Sequence, residues 1–237
     1  MTVFFVLPYL ILSSCIVKIT TCPADHLCRR QIFYEIRDKT YLGQVLMTGG
    51  PWPLYNCRRI CRQYVECLSF SIEWSDDILG KCTIYNGVLN ISRLVDRDEV
   101  TLYVSCPQGF MWHGNARKCY SSEVYESVQG TNIVVACKLL HPNATPVEPR
   151  NKIQTTVITN IADGRQIWLG MYRPEASNIL DDFKYFSDGR NITYRDWFHA
   201  DPDNSGEKEH CVISTPSRET KWSDIRCQDQ YALLCEL

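Results

Sequence analysis

Residues 201–227 read DPDNSGEKEHCVISTPSRETKWSDIRC, an acidic loop followed by two strand-like segments. Five oxygen-bearing side chains can converge in this stretch: Asp201, Asp203, Glu209, Ser223 and Asp224. Pro202 restricts the backbone between the first two acids, and two cysteines lie just behind them, Cys211 and Cys227. Calcium takes roughly six to eight oxygen ligands, so acidic oxygens on a stiff loop suit it. The stretch therefore predicts a calcium site, and the rest of the chain is expected to build the domain that holds it.

The composition indicates a secreted, disulfide-rich protein. The chain has 237 residues, which predicts one or two domains, and it contains 13 cysteines. No Cys-x-x-Cys pair occurs, so disulfides formed in an oxidising compartment explain the cysteines better than a zinc ribbon. The formal net charge is -2, with 25 basic and 27 acidic residues, which argues against a nucleic-acid partner.

The first residues resemble a leader for export. Residues 3–17 are almost all apolar, yet the run is shorter than the ~20 residues that a membrane span needs. We expect a signal peptide within residues 1–21, cleaved between positions 15 and 21, and an extracellular protein. An uncleaved signal anchor is the alternative. Cleavage after Cys15 would leave twelve cysteines, an even number that can pair fully. In a secreted chain, the three Asn-x-Ser/Thr sequons predict surface glycans at Asn90, Asn143 and Asn191.

The first six mature cysteines predict a small module with one helix. They are Cys22, Cys28, Cys57, Cys61, Cys67 and Cys82. Cys57 and Cys61 are four residues apart, so they share one face of a helix. Residues 68–74 alternate between apolar and polar, as in a half-buried strand, and further strands are expected at residues 82–85 and 100–104.

Residues 22–105 resemble a PAN/apple domain, a helix on an antiparallel sheet. The resemblance lies in Cys57-x3-Cys61-x5-Cys67 and in the Lys81-Cys82 pair that follows. It implies the bridges Cys57–Cys82 and Cys61–Cys67, which leaves Cys22–Cys28 by subtraction, although six cysteines allow 15 pairings. Such modules bind proteins or glycans, so a protein partner and a homo-oligomer through this module are further expectations. The basic helix face of Arg58, Arg59 and Arg62 is better explained as solvated surface than as a binding site.

Residues 106–237 resemble the long form of a C-type lectin-like domain. The resemblance rests on several landmarks in order: Cys106-Pro107, Lys118-Cys119-Tyr120, a helix at 131–137 with Thr131 as its N-cap, Ile167-Trp168-Leu169-Gly170-Met171, Asp188-Gly189, Cys211, Trp222 to Cys227, and Cys235. It implies the bridges Cys106–Cys119, Cys137–Cys235 and Cys211–Cys227. The fold class expected for the chain is therefore α+β, with two disulfide-rich modules.

The resemblance also assigns a ligand set. Sugar-binding members carry a Pro-centred triplet, a glutamate two residues before a cysteine, and a Trp-Asn-Asp motif. Here these are Asp201-Pro202-Asp203, Glu209 and Trp222-Ser223-Asp224, which implies a cis Pro202 and calcium and carbohydrate binding by Asp201, Asp203, Glu209, Ser223 and Asp224. Asp201 and Ser223 depart from the family's residues, so the sugar class stays open.

Two functions remain at this stage. The first is a calcium-dependent lectin, with glycans or glycoproteins as partners, used in recognition or innate defence. The second is a protein-interaction module on the same fold without sugar binding. An enzyme is not expected, because the sequence contains no Gly-x-Ser-x-Gly, His-Glu-x-x-His or phosphate-loop motif.

Overall fold

The computed structural model describes residues 32–64, 66–87, 93–175, 177, 179–216 and 221–237. All described residues belong to one compact unit, Gln31–Leu237. The predicted signal peptide, the predicted Cys22–Cys28 bridge and the sequon at Asn90 lie outside the described residues. No helix in the described part of the chain is long and apolar enough to cross a membrane.

The amino-terminal half of the described chain is a five-stranded antiparallel sheet with one helix. Its elements are β1 (Tyr34–Tyr41), β2 (Val45–Pro53), α1 (Leu54–Gln63), β3 (Ser69–Trp74), β4 (Leu79–Tyr85) and β5 (Leu94–Val104). The strand order is β1-β5-β3-β4-β2. The two edge strands, β1 and β2, were not predicted, because their mixed polarity and the Gly-Gly-Pro-Trp-Pro segment of β2 obscure the alternation that marks a strand.

Helix α1 is attached to this sheet through its cysteine face. Cys57 and Cys61 are its two buried residues, and the helix has no side-chain cap at its start. Disulfides join Cys57 to Cys82 on β4 and Cys61 to Cys67, the two pairings that the resemblance implied here. Phe70 and Ile72 of β3 complete the core beneath the helix. Two cross-links and a buried stripe therefore hold a ten-residue helix that would be marginal alone.

The carboxy-terminal half is mixed helix and sheet. Its elements are β6 (Phe110–His113), β7 (Lys118–Ser121), β8 (Tyr125–Gln129), α2 (Ile133–Leu140), β9 (Thr145–Pro146), α3 (Lys152–Ala162), β10 (Ile167–Tyr172), β11 (Lys184–Tyr185), β12 (Glu209–Thr215), β13 (Lys221–Arg226), β14 (Gln230–Leu233) and β15 (Cys235–Glu236). One sheet has the order β13-β12-β10-β14-β8, with β11 paired to β10, and the other has the order β6-β7-β15-β9. The architecture is α+β.

Strand β10 is the centre of this half. It pairs in antiparallel register with β12 and in parallel register with β14. Residues 167–171 of β10 are all buried, as expected for a strand that is covered on both faces. Trp168 and Trp222 are completely buried in the core.

Disulfides join the elements of this half in the three pairs that the resemblance implied: Cys106–Cys119, Cys137–Cys235 and Cys211–Cys227.

The expected N-cap at Thr131 was wrong. A short 3-10 turn at Gly130–Asn132 precedes α2, and Asn132 occupies the cap position without a side-chain hydrogen bond. Asn143 and Asn191, the two described sequons, are both exposed.

Candidate functional site

The acidic loop folds back onto the end of the central sheet. Strand β12 begins at Glu209, and β13 runs antiparallel to it with Val212 opposite Asp224. The Asp201–Pro202 peptide bond is cis, as the resemblance implied. The Cys211–Cys227 disulfide links the strand that follows the loop to the end of β13. The loop and Asp224 are therefore brought together by two paired strands and one cross-link.

Three of the predicted ligands form one carboxylate cluster. Oxygens of Asp201, Asp203 and Asp224 all lie within 4.8 Å of one another. Asp203 is exposed, Asp201 is half-buried and Asp224 is buried, so the cluster runs from solvent towards the core. Like charges this close repel each other, and a divalent cation would remove that repulsion. The possible ligands are carboxylate oxygens, which are the ligands that calcium prefers in proteins.

Asp224 anchors the loop through its buried carboxylate. The backbone amide of Asp203 donates to Asp224 Oδ1 at 3.1 Å, and that of Asn204 donates to Asp224 Oδ2 at 2.8 Å. Burial raises the pKa of Asp224, while these two amides and the nearby guanidinium of Arg173 act in the opposite direction. The carboxylate is thus both a potential ligand and the support of the loop that carries the other ligands.

Glu209 borders the cluster. Its Oε2 accepts a hydrogen bond from the backbone amide of Ser205 at 2.9 Å. The pKa of Glu209 is raised to about 7, mainly by burial and also by the neighbouring carboxylates of Asp224 and Asp203, while the hydrogen bond from Ser205 lowers it. The negative charges of the cluster therefore also act on Glu209.

Ser223, the fifth predicted ligand, precedes Asp224 on β13 and is 5% exposed. Its side chain is a hydroxyl, and the carboxylate cluster itself consists of Asp201, Asp203 and Asp224. The structure thus brings four of the five predicted residues to one place through their carboxyl groups. Ser223 lies next to them along the strand.

Sequence reasoning missed two residues of this site. Asn204 adopts a left-handed backbone, with φ at 50°, and its Oδ1 accepts a hydrogen bond from the amide of Glu209 at 3.1 Å. An Asn directly after Asp-Pro-Asp could have indicated this, because Asn tolerates that conformation. Arg173 follows β10 and lies 3.6 Å from Asp224, measured from Nη2 to Oδ2. Nothing in its local sequence indicates that contact.

Comparisons with known proteins agree with this fold. Residues 126–237 match the model of the Lectin C-type domain. A tetranectin-like protein of Carcharhinus perezii is 24% identical over 164 residues, which cover 66% of this chain and 92% of that protein. The C-type lectin lectoxin-Phi1 of Philodryas olfersii is 32% identical over 71 residues, which cover 30% of this chain and 43% of that one.

A further relative is the C-type lectin lectoxin-Lei1 of Leioheterodon madagascariensis, and the chain spans about half of its length, 54%. Among solved structures, the cow C-type carbohydrate-recognition domain of CD23 aligns over 56% of this chain and 95% of its own, with 23% identity and a TM-score of 0.47. The Lectin C-type domain, which residues 126–237 match, is a non-enzymatic binding fold. Residues 126–237 therefore form a C-type lectin-like domain.

Proposed function

We propose that this chain is a secreted, calcium-dependent carbohydrate-binding protein. One observation carries the proposal: carboxylate oxygens of Asp201, Asp203 and Asp224 converge within 4.8 Å at the end of a rigid sheet. Glu209 adds a fourth carboxylate beside them. The residues proposed to hold calcium are these four and the neighbouring Ser223.

A bound calcium ion would supply open coordination positions for two neighbouring hydroxyls of a sugar ring. The carboxylates of the chain can accept hydrogen bonds from the same hydroxyls, since an ionised carboxylate is an acceptor only. Asp203 is the exposed member of the cluster and is the residue that a ligand from solvent reaches first. Sugar binding would then depend on calcium and on the arrangement of the hydroxyls.

The remaining parts of the chain complete this proposal. Residues 1–21 are proposed as a signal peptide, residues 22–105 as a PAN/apple-like module, and residues 106–237 as the sugar-binding domain. The exposed side chains of Asn143 and Asn191 support the proposal that both carry glycans in a secreted protein. The PAN/apple-like module is proposed to bind a protein partner.

A protein-interaction module without sugar binding is the second candidate. Arg173 favours it, because its guanidinium already places a positive charge beside Asp224. A site whose buried acid has an internal counter-charge can stay folded without a metal ion. The two candidates therefore differ in whether calcium and sugar bind at all.

The deciding experiment uses the secreted full chain. Isothermal titration with calcium is followed by glycan-array binding with calcium and then with a chelator. We expect glycan binding that disappears with the chelator and in the variants Asp203→Ala and Glu209→Ala. Asp98→Ala, which removes an exposed acid from β5, is the matched control and should bind as the wild type does.

Two results would count against the proposal. Absence of glycan binding under both conditions would favour the protein-interaction module. Glycan binding that survives the chelator and both site variants would place the sugar elsewhere and would remove calcium from the mechanism.

A further inference from the structure

Arg173 is a buried cation that sequence reasoning did not assign to the site. It directly follows β10, and 2% of its surface is exposed. Its backbone amide donates to the carbonyl of His210 at 2.9 Å, so the start of β12 holds it in place. Nη1 donates to the carbonyl of Leu180 at 2.9 Å, and Nη2 donates to the carbonyl of Glu209. The guanidinium therefore connects three segments around the acidic loop.

The charge of Arg173 is balanced by one acid in the part of the chain that the structure describes. Asp224 Oδ2 lies 3.6 Å from Nη2, and both side chains are buried. Nε of Arg173 is buried and has no hydrogen-bond partner among the described residues. An Arg side chain keeps its charge in proteins, so a buried guanidinium requires such a counter-charge. Asp224 supplies it.

Asp224 also belongs to the carboxylate cluster with Asp201 and Asp203. The guanidinium and a bound metal ion would therefore act on the same carboxylate. Arg173 and Asp224 are both buried, whereas Asp203 of the same cluster is exposed to solvent. An ion bound by the cluster would therefore lie near a positive charge that is fixed beside its most buried ligand.

We propose that Arg173 is a built-in counter-ion that sets the calcium affinity of this site. It holds Asp224 and the attached loop in position when calcium is absent, and it weakens calcium binding by repulsion when the ion is present. This inference rests on the proposed function, since it concerns how tightly the same site takes calcium. It makes the site a low-affinity one, suited to the high calcium concentration outside cells.

The test measures the dissociation constant for calcium by isothermal titration on the full chain. Arg173→Gln removes the charge but keeps an amide donor for the carbonyls, and Arg173→Lys keeps the charge. We expect Arg173→Gln to bind calcium at least about tenfold more tightly, the factor that corresponds to 1.4 kcal/mol. Arg173→Lys should stay within about threefold of the wild type, because a point charge remains in the same place.

Arg165→Gln is the matched control. Arg165 is exposed and pairs with the exposed Glu126 of β8, so its removal should leave the calcium constant unchanged. Equal or weaker calcium binding by a folded Arg173→Gln protein would overturn the inference while leaving the calcium site intact. Calcium binding by Arg173→Gln but not by the wild type would support it in its strongest form.

Failure of the proposed function gives a different pattern. If neither the wild type nor Arg173→Gln binds calcium, both the function and the inference are wrong. Folding is followed by circular dichroism in chelator and in calcium. If Arg173→Gln and Arg173→Met fold only with calcium, the ion replaces the guanidinium, as proposed. If both stay unfolded in calcium, Arg173 is a structural residue and the inference fails.

Discussion

Glu148 provides a direct test of the electrostatics of the domain. Its side chain is 1% exposed and accepts hydrogen bonds from the amide of Ser187 at 2.7 Å and from Arg150 Nη2 at 2.9 Å. The pKa of Glu148 is raised to about 7: burial is the main cause and the nearby Glu236 adds to it, while Ser187 and Arg150 act in the opposite direction. Desolvation of the carboxyl therefore exceeds the gain from its partners.

This raised pKa makes stability depend on pH. The ordinary pKa of a Glu is 4.5, so the folded protein retains a proton on Glu148 between about pH 4.5 and 7 that the unfolded chain releases. The contribution to the free energy of unfolding is fully present below pH 4.5 and is lost as the pH rises through 7. A difference of about 2.5 pH units corresponds to about 3 kcal/mol at 1.36 kcal/mol per unit.

Glu148→Gln removes the titration and keeps an uncharged side chain of similar size. Urea unfolding followed by circular dichroism at pH 5 and pH 8, with the disulfides intact, gives the free energy of unfolding at each pH. We expect the wild type to lose about 2.5 kcal/mol more than Glu148→Gln between the two values, because part of the contribution is already lost at pH 5. The pH dependence that other titrating groups contribute to the free energy of unfolding cancels in this comparison, since both proteins contain those groups.

Glu126→Gln is the control, because Glu126 is an exposed partner of Arg165 in the same domain. Its pH dependence should equal that of the wild type, since exposed ion pairs contribute little. If Glu148→Gln and the wild type lose the same free energy between pH 5 and pH 8, the reasoning is refuted. Glu148 would then be ionised throughout, with Arg150 as its full counter-charge.

Three further predictions concern the stability of the same domain and can be checked by thermal or urea unfolding. Gly170→Ala would place a Cβ 2.6 Å from the carbonyl oxygen of Pro146, so we expect a loss of about 1–3 kcal/mol; an unchanged melting temperature would contradict it. Replacing Cys137 and Cys235 together by Ala opens a link with a sequence separation of 98, which predicts a loss of about 4–5 kcal/mol in the chain-entropy model. Asn151→Ala removes the side chain that accepts a hydrogen bond from the amide three residues later at the start of α3, which predicts a loss of about 1 kcal/mol, whereas Asn151→Ser should restore most of it.

Local sequence patterns were sufficient to predict several elements. The alternation of residues 68–74 predicted β3, because this pattern reports the burial of its own segment. Strand β10 at residues 167–171 was indicated by the resemblance instead. The four-residue spacing of Cys57 and Cys61 predicted α1. The edge strands β1 and β2 were missed, since an exposed edge carries mixed side chains and its pairing depends on distant strands.

The acidic residues of the candidate site were also predicted from the sequence, because Asp201, Asp203 and Glu209 lie within one loop and its border. Which charges surround them is a property of the tertiary structure alone. Arg173 meets Asp224 across a separation of about fifty residues, because β10, β12 and β13 are neighbours in one sheet. Local sequence determines which groups are present and which segments are buried. The depth of each charge and its counter-charge depend on contacts between segments far apart in the chain, and these form only when the sheet is assembled.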